Sequence, residues 1–226
     1  NGINQKKIIE DLGGGYRLVD GPILPNNFAY SQDNVKYNYN QEAANELLDK
    51  AGWDKIKITR NDLASSALNN NASSTPAEIL EQQMKQSLGV GDWRYKDTKN
   101  GRQYLIIELA TVDLAENLKV VDNIKADWEA LGVKTFVKAV PAIQIQSDII
   151  KPRAFEALFY GEALGADPDV YSFWHSSQAG EKGFNLSNYS NKDADKLLEE
   201  GRANLNKEER IETYHKFQTI ITEDLA

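Results

Sequence analysis

Cysteine is absent from this chain, which excludes disulfides, thiolate metal sites and a cysteine nucleophile. The compartment stays open, because exported bacterial proteins and cytosolic ones both do without it. Long apolar runs are also missing: no stretch approaches the roughly 18 to 20 residues of a membrane span. Positive charge is in the minority, 26 basic against 34 acidic residues for a net charge of −8, and no basic cluster stands out. A polyanion partner needs a positive face that releases counterions, so nucleic acid is not expected. Histidine occurs only twice. What is present is a globular composition, 41 % hydrophobic and 27 % charged, in a chain long enough for one large domain or two small ones.

Local signals divide the chain into alternating elements. Gln5 to Leu12 reads as a short helix ended by Gly13-Gly14-Gly15, and a loop rich in Pro, Asn and Tyr follows. Asn40 is placed to cap an amphipathic helix with Ala43, Ala44, Leu47, Leu48 and Ala51 on one face and Gly52 at its end. Residues 55–60 alternate like a short strand, and Asn69 to Ser74 is a polar loop. Thr75-Pro76-Ala77-Glu78 is a capping box with Pro at the first helical position, opening a helix to about Leu88. Tyr104 to Ala110, Leu114 to Leu131 and Val133 to Val140 read as strand, helix and strand. That is a βαβ unit, which implies parallel strands and a right-handed crossover. A short helix, Ala142 to Ile150, leads to a strand from Phe155 to Gly161. Two C-terminal helices follow, Asp193 to Ala203 and Lys207 to about Asp224, the second opened by Asn206 and Glu209. The fold class is α/β.

Ligands of open α/β sheets sit beyond the carboxyl ends of the parallel strands. Three segments occupy such ends: Thr111 to Asp113, Pro141 to Ile143, and Glu162 to Ser177. The third is the richest, running Gly165-Ala166-Asp167-Pro168-Asp169-Val170-Tyr171-Ser172-Phe173-Trp174-His175-Ser176-Ser177-Gln178. Aromatic faces beside carboxylate, hydroxyl and amide groups suit a polar small molecule. Trp174 either stacks on a ligand or packs under the loop as local core. His175 with Ser176 and Ser177 invites a nucleophile reading, against which adjacent residues rarely face each other and no Gly-x-Ser-x-Gly elbow exists. Hydrogen bonds that brace the loop are the simpler account. Asp167 and Asp169 flank a Pro, so Asx bonds in a turn account for Asp169, with Asp167 at the cleft edge. The run Asn185, Asn188, Asn191, Asp193, Asp195 lacks the Gly and terminal Glu of a calcium loop, and no metal or cofactor is expected. Trp128 falls on an apolar helix face and belongs to the core.

An ordered series of residues then carries a resemblance along nearly the whole chain. It runs from Gly21-Pro22-Ile23 with Pro25, through Tyr39-Asn40 and Leu47-Leu48-Asp49-Lys50-Ala51-Gly52-Trp53, to Leu105–Thr111 and Trp128-Glu129-Ala130-Leu131-Gly132-Val133. It continues with Arg153, the Asp167-Pro168-Asp169 to Gln178 stretch, Asn185, Tyr189, Asp195, Leu197-Leu198, Arg210, Tyr214 and Gln218. In this it resembles the extracellular solute-binding proteins of peptide ABC transporters, the oligopeptide- and dipeptide-binding family. The resemblance implies a class II periplasmic-binding-protein-like fold, with residues 1–226 forming one large C-terminal lobe, a mixed sheet flanked by helices, of a longer two-lobed protein. Residues 54–91 stand where such proteins run directly from Ala-Gly-Trp into the next turn, and so read as an insertion.

The same resemblance implies function. The chain is expected to bind peptides or a similar polar solute in a cleft between two lobes, as a non-enzymatic, monomeric partner of an ABC permease. Its place is then periplasmic or extracellular, membrane-anchored in a Gram-positive source. Ligand contacts are expected from Glu162, Leu164, Asp167, Tyr171, Trp174 and His175. One departure matters: peptide binders of this kind carry an Asp four residues before the Pro of this loop, pairing with the ligand's α-amino group, and here Leu164 stands there. Glu162 is the nearest carboxylate. The departure gives weight to an oligosaccharide as alternative ligand, and the rival class is a hydrolase using His175, Ser176 and Ser177.

Overall fold

The computed structural model describes residues 1–68 and 75–224, so the polar loop expected over Asn69 to Ser74 lies outside the described residues. Contacts gather the chain into two compact units where the sequence suggests one lobe. One holds Asn1–Leu12, Tyr39–Ala139 and Glu156–Phe159; the other holds Gly13–Asn38, Val140–Phe155 and Tyr160–Ala226. No helix among the described residues is long and apolar enough to cross a membrane.

The first unit contains α1 (Gln5–Leu12), α2 (Gln41–Lys50), β1 (Asp54–Ile58), α3 (Arg60–Leu68), α4 (Pro76–Leu88), β2 (Gly91–Thr98) and β3 (Gly101–Tyr104). β4 (Ile106–Val112), α5 (Ala115–Ala130), β5 (Lys134–Val140) and β6 (Ala157–Phe159) complete it. β1, β2 and β3 form an antiparallel sheet, with Ile56 opposite Trp93 and Tyr95 opposite Tyr104. The second sheet has the order β5-β4-β6, and β4 runs parallel to β6 with Leu109 opposite Ala157. Residues 54–91 are built into the first sheet: β1 pairs along β2, and Leu88 of α4 shares a core with Ile58, Trp93 and Tyr104. A second core joins Ile8 of α1 to Leu109 and to Val120, Val121 and Ile124 of α5, with Trp128 packed against it.

Caps explain several boundaries. Asn40 Oδ1 accepts from Ala43 N at 2.9 Å, and Thr75 and Glu78 make both halves of the expected box. The strand expected from Tyr104 to Ala110 is instead two strands broken at Leu105. There the Leu105 N–H donates to Arg94 O and its carbonyl accepts from Lys134 N, both at 2.9 Å. Leu47, expected on the apolar face of α2, is exposed, whereas Ala44 is buried.

Arg94 ties this unit together. Its side chain is 0 % exposed, and all five of its N–H groups have acceptors. Nε donates to Leu131 O (2.7 Å), Nη1 to Asp49 Oδ1 and Trp53 O (2.6 Å each), and Nη2 to the backbone and side-chain oxygens of Asn45 (3.3 and 2.7 Å). Leu131 caps α5 and Trp53 follows α2, so the cation meets the carbonyl-rich ends of two helices. Its backbone N–H also reaches Gly132 O at 2.8 Å. Gly132 has φ +88°, and a Cβ there would come within 2.9 Å of Arg94 Cγ and 3.2 Å of Asp92 O, so glycine is required.

The second unit contains α6 (Tyr171–Trp174), α7 (Lys192–Ala203) and α8 (Lys207–Asp224). A single π-helical turn, Gln146–Ile150, stands where the sequence suggests a helix from Ala142. α7 and α8 pack through Ala194, Leu198, Tyr214, Phe217 and Ile221, which also bury Ile23, Ala29 and Val170. Gly201 permits the close approach, since a Cβ would lie 2.8 Å from the Tyr214 ring. Asn206 caps α8 by accepting from Glu208 N and Glu209 N, while Glu209 bonds Asn204 rather than closing the box. α8 holds the distant segment 29–37 directly. Gln218 accepts from Ser31 N and donates to Ala29 O, and Tyr37 OH donates to Thr222 O.

Replacing Arg94 by Met is expected to cost the full-length protein about 3–5 kcal/mol, because the oxygens of Leu131, Trp53 and Asn45 lose their donor at about 1–3 kcal/mol for each one left buried. Arg94→Lys should recover less than half of that, having three donors and no planar fork. Urea unfolding midpoints decide the matter, and an unchanged midpoint for Arg94→Met would remove Arg94 from this role.

Candidate functional site

A pocket of about 280 Å³ opens within the second unit. One wall is the loop Pro22, Ile23, Leu24, Asn26 and Asn27; the other is Leu164 to Pro168 with Val170. The walls are laced together by Asn27, whose Nδ2 donates to Ala166 O at 2.9 Å. Its Oδ1 accepts from Ala29 N, closing an Asx turn. Beneath them Ile23 and Val170 enter the α7–α8 core, with Leu164 packed against it.

Two arginines clamp the Asp167-Pro168-Asp169 turn. Arg210 grips both oxygens of Asp167, at 3.1 and 2.6 Å. Arg202 reaches Asp169 Oδ2 at 2.8 Å and lies 4.1 Å over the Tyr171 ring. The carboxylates also accept in sequence along the chain, Asp167 from Asp169 N and Asp169 from Tyr171 N. Arg210 is the main cause holding the Asp167 carboxyl below its ordinary value.

The His175-Ser176-Ser177 stretch is braced from within. His175 and Ser177 do face each other, contrary to the expectation for near neighbours, with Nδ1 2.8 Å from Ser177 Oγ. The reason is a cap: Nδ1 accepts the Ser177 N–H at 3.1 Å and starts the one-turn helix Ser176–Gln178. That acceptor role puts the ring proton on Nε2, which lies 3.4 Å from Glu199 without a hydrogen bond. The imidazole is 7 % exposed and stacks on Tyr171 at 4.1 Å. Ser176 donates its N–H and its hydroxyl to Asp195 in the first turn of α7. Ser176 thus ties the loop to α7, while the Ser177 hydroxyl and the base are engaged within the loop itself.

Asn185 is the buried hub of the same loop. Its Nδ2 donates to the carbonyls of Trp174, His175 and Tyr189, and its Oδ1 accepts from Tyr189 N and Ser187. Among the described residues no group of three or more His, Asp or Glu is arranged to hold a metal ion.

The expected site residues divide in two. Leu164 and Asp167 line the pocket. Tyr171, Trp174 and His175 lie in the loop's own packing. Trp174 meets Tyr189 edge-on at 5.9 Å in the α7–α8 core, which favours its core account over stacking on a ligand. Glu162 lies outside the pocket lining, exposed by area yet sufficiently surrounded that desolvation raises its carboxyl pKa. It has no hydrogen bond or ion pair among the described residues, so that shift has no compensating partner. Sequence reasoning did not assign the Pro22–Asn27 wall or the arginine clamps. The wall's Gly-Pro and Asn-Asn signals were visible, but their target lies about 140 residues away.

The Asp167–Arg210 pair gives a pH signature. With its folded pKa below 3.8, ionised Asp167 stabilises the protein above that value. The contribution fades as pH falls through the lower folded value. Asp167 is 57 % exposed, so screening limits the effect to well under ~1 kcal/mol. The stability gap between wild type and Asp167→Asn is expected to be small at neutral pH and to close below about pH 4. Paired urea titrations measure it, and a gap that widened on acidification would contradict the assignment.

Residues 1–91 match the sequence profile of bacterial extracellular solute-binding proteins, family 5 Middle. The oligopeptide-binding protein AppA of Bacillus subtilis (strain 168) is 26 % identical over 159 residues, covering 65 % of this chain and 28 % of that protein. The structure of B. subtilis AppA in complex with a nonapeptide superposes with a TM-score of 0.72 at 20 % identity, over 99 % of this chain and 38 % of that one. An oligopeptide-binding protein from Thermus thermophilus, complexed with a pentapeptide, gives 0.73 at 15 % identity, over 99 % and 35 %. The chain therefore spans little more than a third of the length of these relatives. It has the α/β fold of these two solved structures over nearly its whole length, and its match to the family 5 profile is confined to residues 1–91.

Proposed function

We propose that the full-length protein carrying this chain is the peptide-binding component of an ABC importer, working outside the cytoplasmic membrane. The observation that carries this reading is the convergence of a sequence match and a fold match on one protein, AppA, whose solved structure holds a nonapeptide. Binding would proceed by hinged closure on the ligand and delivery of the closed form to the permease. No catalysed step is assigned, since the hydroxyls and imidazole that a hydrolase would use are occupied in capping and bracing.

Within this function Leu164 and Glu162 face the ligand, whereas Asp167, Tyr171, Trp174 and His175 fix the loop's shape. Glu162 supplies a free carboxylate, suited to an ammonium of the peptide. Losing one charge-assisted hydrogen bond is worth about 1.5–3 kcal/mol, so Glu162→Gln is expected to weaken peptide binding roughly tenfold or more. Because burial raises the Glu162 pKa above 4.5, wild-type affinity should begin to fall above that pH on acidification, and Glu162→Gln should flatten the profile. Calorimetry at several pH values reads both effects; equal affinities for the two proteins would remove Glu162 from the site. Mass spectrometry of what co-purifies with the full-length protein tests the function itself. A heterogeneous peptide pool supports it, and a uniform sugar overturns it.

A further inference from the structure

One buried ionisable group of the second unit is built into its loop in the neutral form. His175 is 7 % exposed, and its two ring nitrogens have unlike surroundings. Nδ1 faces the loop, where it accepts the Ser177 N–H at 3.1 Å and lies 2.8 Å from Ser177 Oγ. Nε2 faces α7, 3.4 Å from Glu199 and 3.9 Å from Asp195, and is buried without a hydrogen-bond partner. The ring stacks on Tyr171 of α6 at 4.1 Å, and Arg202 of α7 lies 4.1 Å over the same tyrosine. Backbone contacts hold the residue itself: its N–H donates to Tyr171 O, and its carbonyl accepts from Asn185 Nδ2.

Nδ1 can accept the Ser177 N–H only while it carries no proton. A proton arriving there turns an acceptor into a donor. Ser177 Oγ is placed to accept it, whereas the Ser177 N–H loses its acceptor. The Ser177 hydroxyl hydrogen is then free to turn to Tyr171 OH, 3.2 Å away. The new cation is opposed by Arg202, whose own charge is paired with Asp169 at 2.8 Å. It is favoured by the carboxylates of Asp195 and Glu199, which stand opposite Nε2.

We infer that His175 is a pH-sensitive latch. Neutral, it caps the Ser176–Gln178 turn; protonated, it releases the turn and directs its charge to Asp195 and Glu199 of α7. Ser176 stays tied to Asp195 and the His175 backbone stays fixed, so opening is confined to residues 177–179. The latch involves no ligand and stands independently of the peptide-binding reading.

Hydrogen exchange of the full-length protein, read by mass spectrometry from about pH 8 to about pH 5, spans the range in which imidazoles ordinarily change charge. Protection is taken relative to intrinsic exchange at each pH. Wild type is expected to lose protection over residues 177–179 by about tenfold on acidification, the scale of one backbone hydrogen bond lost at a buried donor. His175→Asn supplies a capping oxygen with no proton to titrate, so its protection should be the same at both ends of the range. Glu199→Gln removes a carboxylate that favours the cation and should move the transition to lower pH. Unchanged wild-type protection across the range overturns the latch without any variant having to fold. An equal loss in His175→Asn also overturns it, because the titrating group then lies elsewhere. A transition that stays in place in Glu199→Gln overturns the part assigned to that carboxylate of α7.

Discussion

The first unit depends on one buried guanidinium. Arg94 sits where two helices end and a strand passes, and each of those features arrives with unsatisfied carbonyl groups. A hydrophobic residue would fill the volume but leave the acceptors of Leu131, Trp53 and Asn45 to find other donors. A lysine would offer too few hydrogens in the wrong geometry. Five donors in a fixed fork meet five acceptors, and the one charged partner, Asp49, keeps 63 % of its side chain in water. Much of the compensation for burying this cation therefore comes from neutral amide oxygens. The arrangement also explains Gly132, because a strand that donates to Gly132 O while its arginine lies under the turn leaves no space for a side chain.

The second unit solves a similar difficulty with different chemistry. The loop from Leu164 to Tyr189 has little regular structure, so its backbone polar groups need side-chain partners. Asn185 serves five groups of the loop, His175 caps a single turn, and Asp195 anchors Ser176 from α7. Arg202 and Arg210 draw the Asp-Pro-Asp turn onto the two long helices. Residues that look like chemistry in the sequence are here the framework of a loop.

How far the sequence could be read follows from this difference. Signals closed within four residues were legible: the Asn40 cap, the Thr75–Glu78 box, and the limits of α1 and α8 all stand where local rules place them. The break at Leu105 was not, because it is produced by hydrogen bonds to Arg94 and Lys134 rather than by any residue at the break. The pocket was half legible. Its Leu164–Val170 wall follows a strand end, as α/β topology requires. The Pro22–Asn27 wall meets it through Asn27 and Ala166, a pairing that no periodicity encodes. His175 and Ser177 misled in the other direction, since capping geometry brought together two groups whose spacing argued against contact.

The neutrality of the pocket follows from the same economy of charge. A turn carrying two carboxylates would ordinarily present a negative surface, yet here each acid is matched by an arginine from the helices behind it. Holding the turn rigid and offering a free carboxylate are competing uses of one side chain, and Asp167 is committed to the first. The loop keeps a shaped apolar wall around Leu164 and leaves Glu162, two residues earlier and outside the pocket, as its uncommitted charge.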